Sequence, residues 1–344
     1  MASVALELLE GLAPFVAAEL DRSVPEAIRV AVEPTEIRVE IDDPARLLEL
    51  RTVVAAYLSV ELDVRRPRGI LSPDVLRTCL DAIAAARRIA KPQRFGSFRL
   101  SAAGSASQEL LRLRGEIEHH TGLADDPDEG ELLVRLRRSP AQSTTGGWNL
   151  LIRLTPRPLS ARSWRVARYP GALNATIAAA MVDLTEPAPD DDFVDLMCGS
   201  GTLAIERLAW GSPRRIVACD IASEALRAAR DNQRASKLHG TIEFVQADAR
   251  RLDEHVRGFN KLVVNLPWGE LVGDHAANEE LYPAVLRAAQ RLAGERAVFA
   301  VLTHDIRRFE RCLGEVGGWV VDDSWRVFQK GHRPKLYRLT RSHR

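Results

Sequence analysis

Residues 195–204 of the chain read Asp195-Leu196-Met197-Cys198-Gly199-Ser200-Gly201-Thr202-Leu203-Ala204. The apolar run that ends in Asp195 predicts a buried strand, the two glycines predict a tight turn, and the residues from Thr202 predict the start of a helix. Glycine lets the backbone come close to a bound molecule, and a helix N-terminus attracts a carboxylate or a phosphate. This order of elements is typical of a cofactor-binding turn in an α/β fold, although a simple tight turn has the same pattern.

The segments around this turn extend the same pattern. From about residue 171 onward, short apolar runs alternate with longer amphipathic segments, which is typical of βαβ units and a parallel sheet. The last two predicted strands are too close in sequence for a helical crossover, so they are expected to form an antiparallel hairpin. The prediction is an α/β Rossmann-like domain whose mostly parallel seven-stranded sheet ends in this hairpin. Its predicted strands cover residues 193–197, 215–219, 242–246, 262–265, 297–302, 319–328 and 336–339.

The first half of the chain has a mixed α+β pattern. Apolar residues at helical spacing predict an amphipathic helix from Met1 to Leu20, and alternating runs at 28–32 and 36–41 predict a hairpin. A helix near residues 44–55 is also expected. Pattern and proline content divide the chain into four parts, namely residues 1–68, 69–155, a linker at 156–170, and 171–344.

Composition excludes several classes of protein. The 344 residues are 46% hydrophobic and 28% charged, which is ordinary for globular domains, and the length predicts two or three of them. The formal net charge of +1 provides no global field, so a nucleic-acid partner must be held by local patches. The four cysteines are widely spaced, which supports neither disulfides nor a zinc site, and no metal is expected. We expect a cytoplasmic protein without a signal peptide or membrane span.

Carboxylates at successive strand ends indicate which cofactor the turn holds. Asp220 follows Gly199 by 21 residues and is placed to accept hydrogen bonds from ribose hydroxyls. The pattern Gly199-x-Gly201-x-x-Ala204 with that acid also fits a dinucleotide site, so an NAD-dependent oxidoreductase has to be considered. Asp195 favours S-adenosylmethionine (SAM), because a carboxylate binds the ammonium of an amino-acid group but repels a pyrophosphate. The expected SAM site comprises Asp195, Met197, Gly199, Gly201, Asp220, Ile221, Asp248, Ala249 and Asn265.

Residues 263–270 carry the segment that indicates the reaction. They lie at the end of the fourth predicted strand, on the rim where open α/β sheets bind ligands. Asn265-Leu266-Pro267-Trp268 resembles the [N/D]-P-P-[Y/F/W] motif of SAM-dependent methyltransferases that modify planar exocyclic amines, with Leu266 where the commonest form has proline. The resemblance implies that these four residues are catalytic. Asn265 and the Leu266 carbonyl would accept the two hydrogens of the amine, and Trp268 would stack on the base.

Further blocks resemble one family in particular. Residues 165–174 read Arg165-Val166-Ala167-Arg168-Tyr169-Pro170-Gly171-Ala172-Leu173-Asn174, which is similar to the lead-in of guanine-N2 RNA methyltransferases that carry a THUMP domain. The blocks at 158–162 and 331–337 are similar to other parts of that family. The resemblance implies a ferredoxin-like unit over 1–68, a THUMP-like RNA-binding unit over 69–155, and methyl transfer to the exocyclic N2 of a guanosine in tRNA. tRNA is the expected partner, and a monomer is expected.

Basic clusters are the expected contacts to RNA phosphates, and each of them can also be an ordinary solvated surface. The residues predicted for this role are Arg87, Arg88, Lys91, Arg94, Arg135, Arg333 and Lys335. Within the enzyme class, the alternatives are an rRNA guanine and an adenine-N6 target. A non-catalytic RNA-binding protein with a vestigial methyltransferase fold is an alternative from another class, and an NAD-dependent oxidoreductase is the third.

Overall fold

The computed structural model describes residues 1–90, 95–103, 107–139, 147–267 and 277–342. The chain forms two compact units. The first contains Met1–Leu8 and Val16–Ser160, and the second contains Leu9–Phe15 and Ala161–Arg344. The domain borders expected from the sequence stay a prediction, because compact packing does not by itself define where a domain begins or ends.

The first unit is built on an eight-stranded sheet. In its described part the order of strands across the sheet is β2-β3-β1-β4-β8-β7-β5-β6. Tyr57 on one central strand lies opposite Arg153 on another in an antiparallel pair, so strands from residues 1–68 and from residues 69–155 share this sheet. The elements in chain order are β1 (Ala2–Glu7), α1 (Ala13–Ser23), β2 (Ile28–Glu33), β3 (Glu36–Ile41), β4 (Ala55–Leu62), α2 (Pro73–Ile89), β5 (Ser97–Ala102), α3 (Gln108–Thr121), β6 (Ala124–Asp125), β7 (Leu132–Arg138) and β8 (Trp148–Arg153).

The beginning of the chain differs from the helix predicted from Met1 to Leu20. Ala2–Glu7 forms β1, which pairs with β3 and β4 inside the sheet, and α1 begins only at Ala13. Consecutive residues of a strand point to opposite faces of the sheet, and Val4, Ala5 and Leu6 are all buried, so both faces of the sheet are covered at β1. The helix predicted near 44–55 is shorter than expected, because Pro44–Glu49 forms a 3-10 helix and Ala55 already begins β4.

Among its described residues, the second unit contains a seven-stranded sheet in the order β11-β10-β9-β12-β13-β15-β14. The neighbours from β11 to β13 are parallel, whereas β15 is antiparallel to both β13 and β14. The predicted mostly parallel sheet with a C-terminal antiparallel hairpin is therefore confirmed. The elements are α4 (Ala175–Asp183), β9 (Asp192–Asp195), α5 (Thr202–Ala209), β10 (Arg215–Asp220), α6 (Ser223–Ser236), β11 (Glu243–Gln246), β12 (Phe259–Asn265), α7 (Ala277–Leu292), β13 (Ala293–Thr303), α8 (Ile306–Val316), β14 (Trp319–Arg326) and β15 (Lys335–Arg341).

Apolar side chains of the parallel strands are buried on both faces of this sheet, as expected for βαβ units. One large cluster packs β9, β10 and β12 to β15 against α7 and α8, and its aromatic members include Phe259, Phe299 and Phe309. This core fixes the ends of the parallel strands, where the predicted cofactor and substrate residues lie. None of the helices that the structure describes combines the length and the apolar character that a bilayer crossing needs.

The segment Leu9–Phe15 completes the hairpin edge of the second unit. The Glu10 carboxylate pairs with Arg333, and the Glu10 carbonyl accepts a hydrogen bond of 2.9 Å from the amide of Phe328. Gly11 has φ +92°, and a Cβ there would lie 1.9 Å from the carbonyl oxygen of Arg326. This contact therefore requires glycine at position 11.

Candidate active site

The turn between β9 and α5 has the backbone that its two glycines predict. Gly199 and Gly201 both have positive φ, +51° and +80°, and the Gly201 amide donates to the Cys198 carbonyl at 2.8 Å. A Cβ on Gly201 would lie 3.0 Å from the Cβ of Ala229. The turn leads directly into α5 at Thr202, so the N-terminus of that helix faces the same rim of the sheet as the ends of the parallel strands.

Asp195, the last residue of β9, is a carboxyl group that the fold leaves unpaired. It is fully buried, and neither of its oxygens has a hydrogen-bond partner in the part of the chain that the structure describes. Burial raises the pKa of Asp195 well above its ordinary value, and the negative charge of Asp220 adds to this effect. The backbone amide of Met197 partly offsets this increase in pKa, although it does not form a hydrogen bond with the carboxyl. A buried unpaired carboxyl is costly, and a cationic ligand would remove that cost.

Asp220, at the end of β10, organises the turn from the neighbouring strand. One of its oxygens accepts a hydrogen bond of 2.8 Å from the Gly199 amide, and the other accepts one of 2.9 Å from the Ala222 amide. A carboxylate oxygen has more than one acceptor position, so the side chain can still accept from ligand hydroxyls. Asp220 thus links the turn to the strand end from which a ribose would be bound.

The remaining predicted cofactor residues lie at the ends of β9, β10 and β11. Ile221 is a large apolar side chain that is nevertheless 65% exposed. Asp248 accepts from the Arg250 amide at 2.9 Å and forms an ion pair with the Arg250 guanidinium, which lowers the pKa of that carboxyl. Met197 is half-buried, and Ala249 is buried.

Asn265 ends β12, the strand next to β9 in the sheet. Val263, two residues earlier, is in register with Asp195, which places Asn265 beyond the end of the neighbouring strand. The Oδ1 atom of Asn265 is buried and has no hydrogen-bond partner in the described ranges of the chain. Its side chain therefore presents an unused acceptor at the rim of the sheet, next to the strand that leads into the turn at Gly199 and Gly201.

The residues after Asn265 are held on two sides. The Leu266 amide donates to the Leu302 carbonyl at 3.0 Å, and its side chain is buried. The Pro267 carbonyl accepts hydrogen bonds from Asn278 at 3.2 Å and from Tyr282 at 3.0 Å. Trp268 lies outside the described residues, so its stacking role stays a prediction.

The structure adds site residues that the sequence did not indicate. Asn232 on α6 is fully buried, and its amide bonds to both backbone groups of Ala167 and to the Ser200 carbonyl. This contact ties the segment before α4 to the glycine turn, and the ring of Tyr169 lies 3.7 Å from where a Cβ of Gly199 would be. No periodicity or motif links Asn232 to residues 65 and 32 positions earlier, which is why the sequence could not reveal it.

The predicted RNA-binding residues differ in their exposure and in the contacts that they already make. Arg88 is exposed on α2, whereas Arg87 donates to the Thr121 carbonyl at 3.1 Å. Arg135 lies 5.0 Å from the ring centre of Tyr57 and 3.8 Å from the Glu7 carboxylate. Both C-terminal residues form ion pairs, Arg333 with Glu10 and Lys335 with Glu310. Lys91 and Arg94 lie outside the described residues.

Known proteins resemble this chain over the site just described. A family model described as UPF0020, RMKL-like methyltransferase domain, matches residues 162–335. The chain belongs to this family. It is 29% identical over 289 residues to a tRNA (guanine(6)-N2)-methyltransferase of Thermus thermophilus, which covers 82% of this chain and 84% of that protein. It is 25% identical to the tRNA (guanine(6)-N2)-methyltransferase of Methanocaldococcus jannaschii over 219 residues, which cover 53% of this chain and 57% of the relative.

Solved structures agree with the fold. The crystal structure of TrmN from Thermus thermophilus matches with a TM-score of 0.76 at 23% identity, covering 99% of this chain and 100% of that one. Family and fold together confirm the predicted Rossmann-like methyltransferase fold and place the chain among SAM-dependent methyltransferases rather than NAD-dependent oxidoreductases. The ferredoxin-like and THUMP-like units and the roles of single site residues stay predictions.

Proposed function

We propose that this protein transfers a methyl group from SAM to the exocyclic N2 of a guanosine in tRNA. The observation that carries the proposal is the buried, unpaired Oδ1 of Asn265 at the end of β12, beside the strand that ends in the cofactor turn. An unpaired acceptor in that place suits the N–H of a planar amine. The relatives support the choice of nucleotide, since both are named for guanine N2 of tRNA.

The residues around the glycine turn fit SAM. Asp195 would hold the ammonium of its amino-acid part, because a cation there satisfies both unpaired carboxyl oxygens. Asp220 would accept from the ribose hydroxyls, and the exposed Ile221 would pack on the adenine. Asp248 would meet the adenine amino group while remaining paired with Arg250. When bound, SAM would supply an electrophilic methyl group, whose bond to the sulfonium sulfur breaks as the new N–C bond forms and leaves S-adenosylhomocysteine.

The chain's own contribution to the reaction is to orient a weak nucleophile. The lone pair of an exocyclic amine is delocalised into the ring, so the nitrogen reacts only when its hydrogens are held and its lone pair points at the methyl carbon. Asn265 Oδ1 would accept one N–H and the Leu266 carbonyl the other, and Trp268 would stack on the base. Both acceptors are neutral amides that do not titrate, so positioning rather than proton abstraction provides the rate. The surplus proton of the methylated amine passes to water.

The test is methyl transfer from labelled SAM to unmodified tRNA, followed by nucleoside analysis of the product. N2-methylguanosine is the expected product. N6-methyladenosine, or guanine methylation of rRNA alone, would keep the mechanism and replace the substrate. Protein that binds both SAM and tRNA but methylates no RNA would contradict the proposal and favour the vestigial RNA-binding protein.

We further propose that the N-terminal part engages the tRNA, with residues 69–155 as a THUMP-like unit, in a cytoplasmic monomer. Arg88 and Arg333 are both exposed, but Arg333 is paired with Glu10, so Arg88 offers the sharper test. Arg88→Glu should weaken tRNA binding and reduce the slope of log affinity against log salt by about one, because one phosphate contact is lost. Arg77→Glu, exposed nearer the start of the same helix, is the matched control. Equal slopes for both variants would remove Arg88 from the RNA surface.

A further inference from the structure

The carbonyl of Pro267 receives two side-chain hydrogen bonds from α7. Asn278 donates from Nδ2 at 3.2 Å and Tyr282 donates from its hydroxyl at 3.0 Å. Both side chains are buried, with exposures of 1% and 0%. A carbonyl with two buried donors is held firmly in direction, and it follows directly after the Leu266 carbonyl in the chain.

Thr303 extends this contact to the neighbouring strand. Its hydroxyl lies 3.1 Å from that of Tyr282, and it is fully buried at the end of β13. Tyr282 has one proton, and a carbonyl can only accept, so that proton goes to Pro267. Thr303 must therefore be the donor to Tyr282. The result is a directed chain from the Thr303 hydroxyl through the Tyr282 hydroxyl to the Pro267 carbonyl.

As a consequence, the backbone is held by hydrogen bonds both at Leu266 and at the residue that follows it. Its amide is bound to the Leu302 carbonyl at 3.0 Å, and the next carbonyl after its own is held by α7. Because Pro267 follows, Leu266 is also restricted to extended backbone conformations. A proline at 266 would lack the amide that bonds to Leu302. Leu266 thus lacks the ring that makes proline rigid in the commonest form of the motif. Its backbone is instead held by hydrogen bonds on both sides.

We infer that Tyr282, supported by Asn278 and Thr303, is a positioning residue for methyl transfer: it fixes the direction in which the Leu266 carbonyl meets the amine. This inference rests on the proposed function, because it concerns the second acceptor of the same nitrogen. Tyr282 touches neither base nor cofactor in this role and acts only through the backbone of residues 266 and 267. Its ring has a separate packing role, edge-on to Phe309 with 6.4 Å between ring centres.

Tyr282→Phe separates these two roles, since it removes the hydroxyl and keeps the ring. It should lower kcat about 10-fold, the equivalent of losing the hydrogen bond that orients the Pro267 carbonyl, and leave the dissociation constants for SAM and tRNA unchanged. Thr303→Val should lower kcat about threefold in the wild-type background and not at all in the Tyr282→Phe background. Non-additivity of this kind is not expected from two independent losses of stability.

Tyr337→Phe is the matched control. That tyrosine is buried in the same unit, next to Phe309, and its hydroxyl donates to Glu310 at 2.9 Å. Tyr282→Phe loses two hydrogen bonds of a buried hydroxyl, and Tyr337→Phe loses one to a carboxylate. Both variants should lower the melting temperature, but only Tyr282→Phe should lower kcat. Equal kcat for the two variants, with wild-type protein making N2-methylguanosine, would overturn the inference alone. Wild-type protein that methylates no exocyclic amine would overturn the proposed function and this inference together.

Discussion

The ends of β9 and β12 lie side by side in the sheet, and each places a buried polar group without a partner among the described residues at the same rim. At the end of β9 the group is the carboxyl of Asp195, whose pKa is raised by burial, and at the end of β12 it is the Oδ1 atom of the neutral Asn265 amide. The first suits a cation and responds to pH, whereas the second suits a neutral amine and does not. In the proposed function, Asp195 would therefore determine the affinity for the cofactor, and Asn265 would orient the nucleophile.

The largest expected effect is on cofactor affinity at the end of β9. Asp195→Asn should weaken SAM binding by about 3 kcal/mol, because a buried ammonium then lacks its counter-charge. In the wild type, the raised pKa means that the carboxyl is protonated in the free protein up to a higher pH than usual. Pairing with the ammonium requires the ionised form, so SAM affinity should rise with pH through that pKa and binding should release a proton.

Calorimetry in two buffers of different ionisation enthalpy measures this proton release. Asp192→Asn changes an acid at the start of the same strand that is paired with Arg214, and it should retain the wild-type affinity and pH dependence. Wild-type affinity that does not change with pH would show that Asp195 does not meet the cofactor ammonium.

The second-largest effect is expected on the rate of methyl transfer, and it concerns Asn265 at the end of β12. Asn265→Ala should lower kcat about 100-fold, the usual cost of a misplaced reacting group, while SAM affinity stays within a few-fold of wild type. Because the acceptor is neutral, the remaining pH dependence of kcat should have the same shape as in the wild type. Single-turnover methyl transfer measures both quantities. Asn260→Ala, on the same strand at its other end, is the control, and an equal loss of rate there would point to the strand rather than to the amide.

A smaller effect is expected at Asp220, which holds the glycine turn and, in the proposed function, would also bind the ribose. Asp220→Ala should weaken SAM binding by about 2 kcal/mol, the loss of a charge-assisted hydrogen bond. Because the Gly199 amide loses its acceptor as well, the thermal stability of the cofactor-free protein should also fall. Titration of SAM into the variant decides the matter, and unchanged affinity would remove Asp220 from the cofactor site.

The strand ends at the rim of the second unit could be predicted from the sequence because the residues that determine them are close together in the chain. Strand, glycine turn and helix follow one another without a gap in the printed sequence, and parallel strands end on one edge, so Asp195, Asp220 and Asn265 come together by topology alone. The helix predicted from Met1 to Leu20 was wrong at its start because Val4 and Leu8 fit a helical spacing as well as alternation. Pairing with β3 and β4 decides between these periods, and that pairing is not local.

Side-chain partners were the least predictable part of the site. Tyr282 lies 15 residues after Pro267 in a helix whose apolar period explains it as a core residue, and its hydroxyl contact has no sequence signal. The acids that engage Arg333 and Lys335 lie 323 and 25 residues earlier, so basic clusters chosen from sequence include residues that are already paired. Charge can be counted from a sequence, whereas its neutralisation depends on the fold.

The segment Leu9–Phe15 has consequences for the order in which the second unit folds. Its contact between Glu10 and Arg333 joins positions that are 323 residues apart in the chain, and loop-closure entropy makes such contacts slow to form. We expect the hairpin edge to receive this segment after the parallel strands have collapsed, on the native side of the folding barrier. Substitutions at Gly11 would then accelerate unfolding and leave the folding rate almost unchanged.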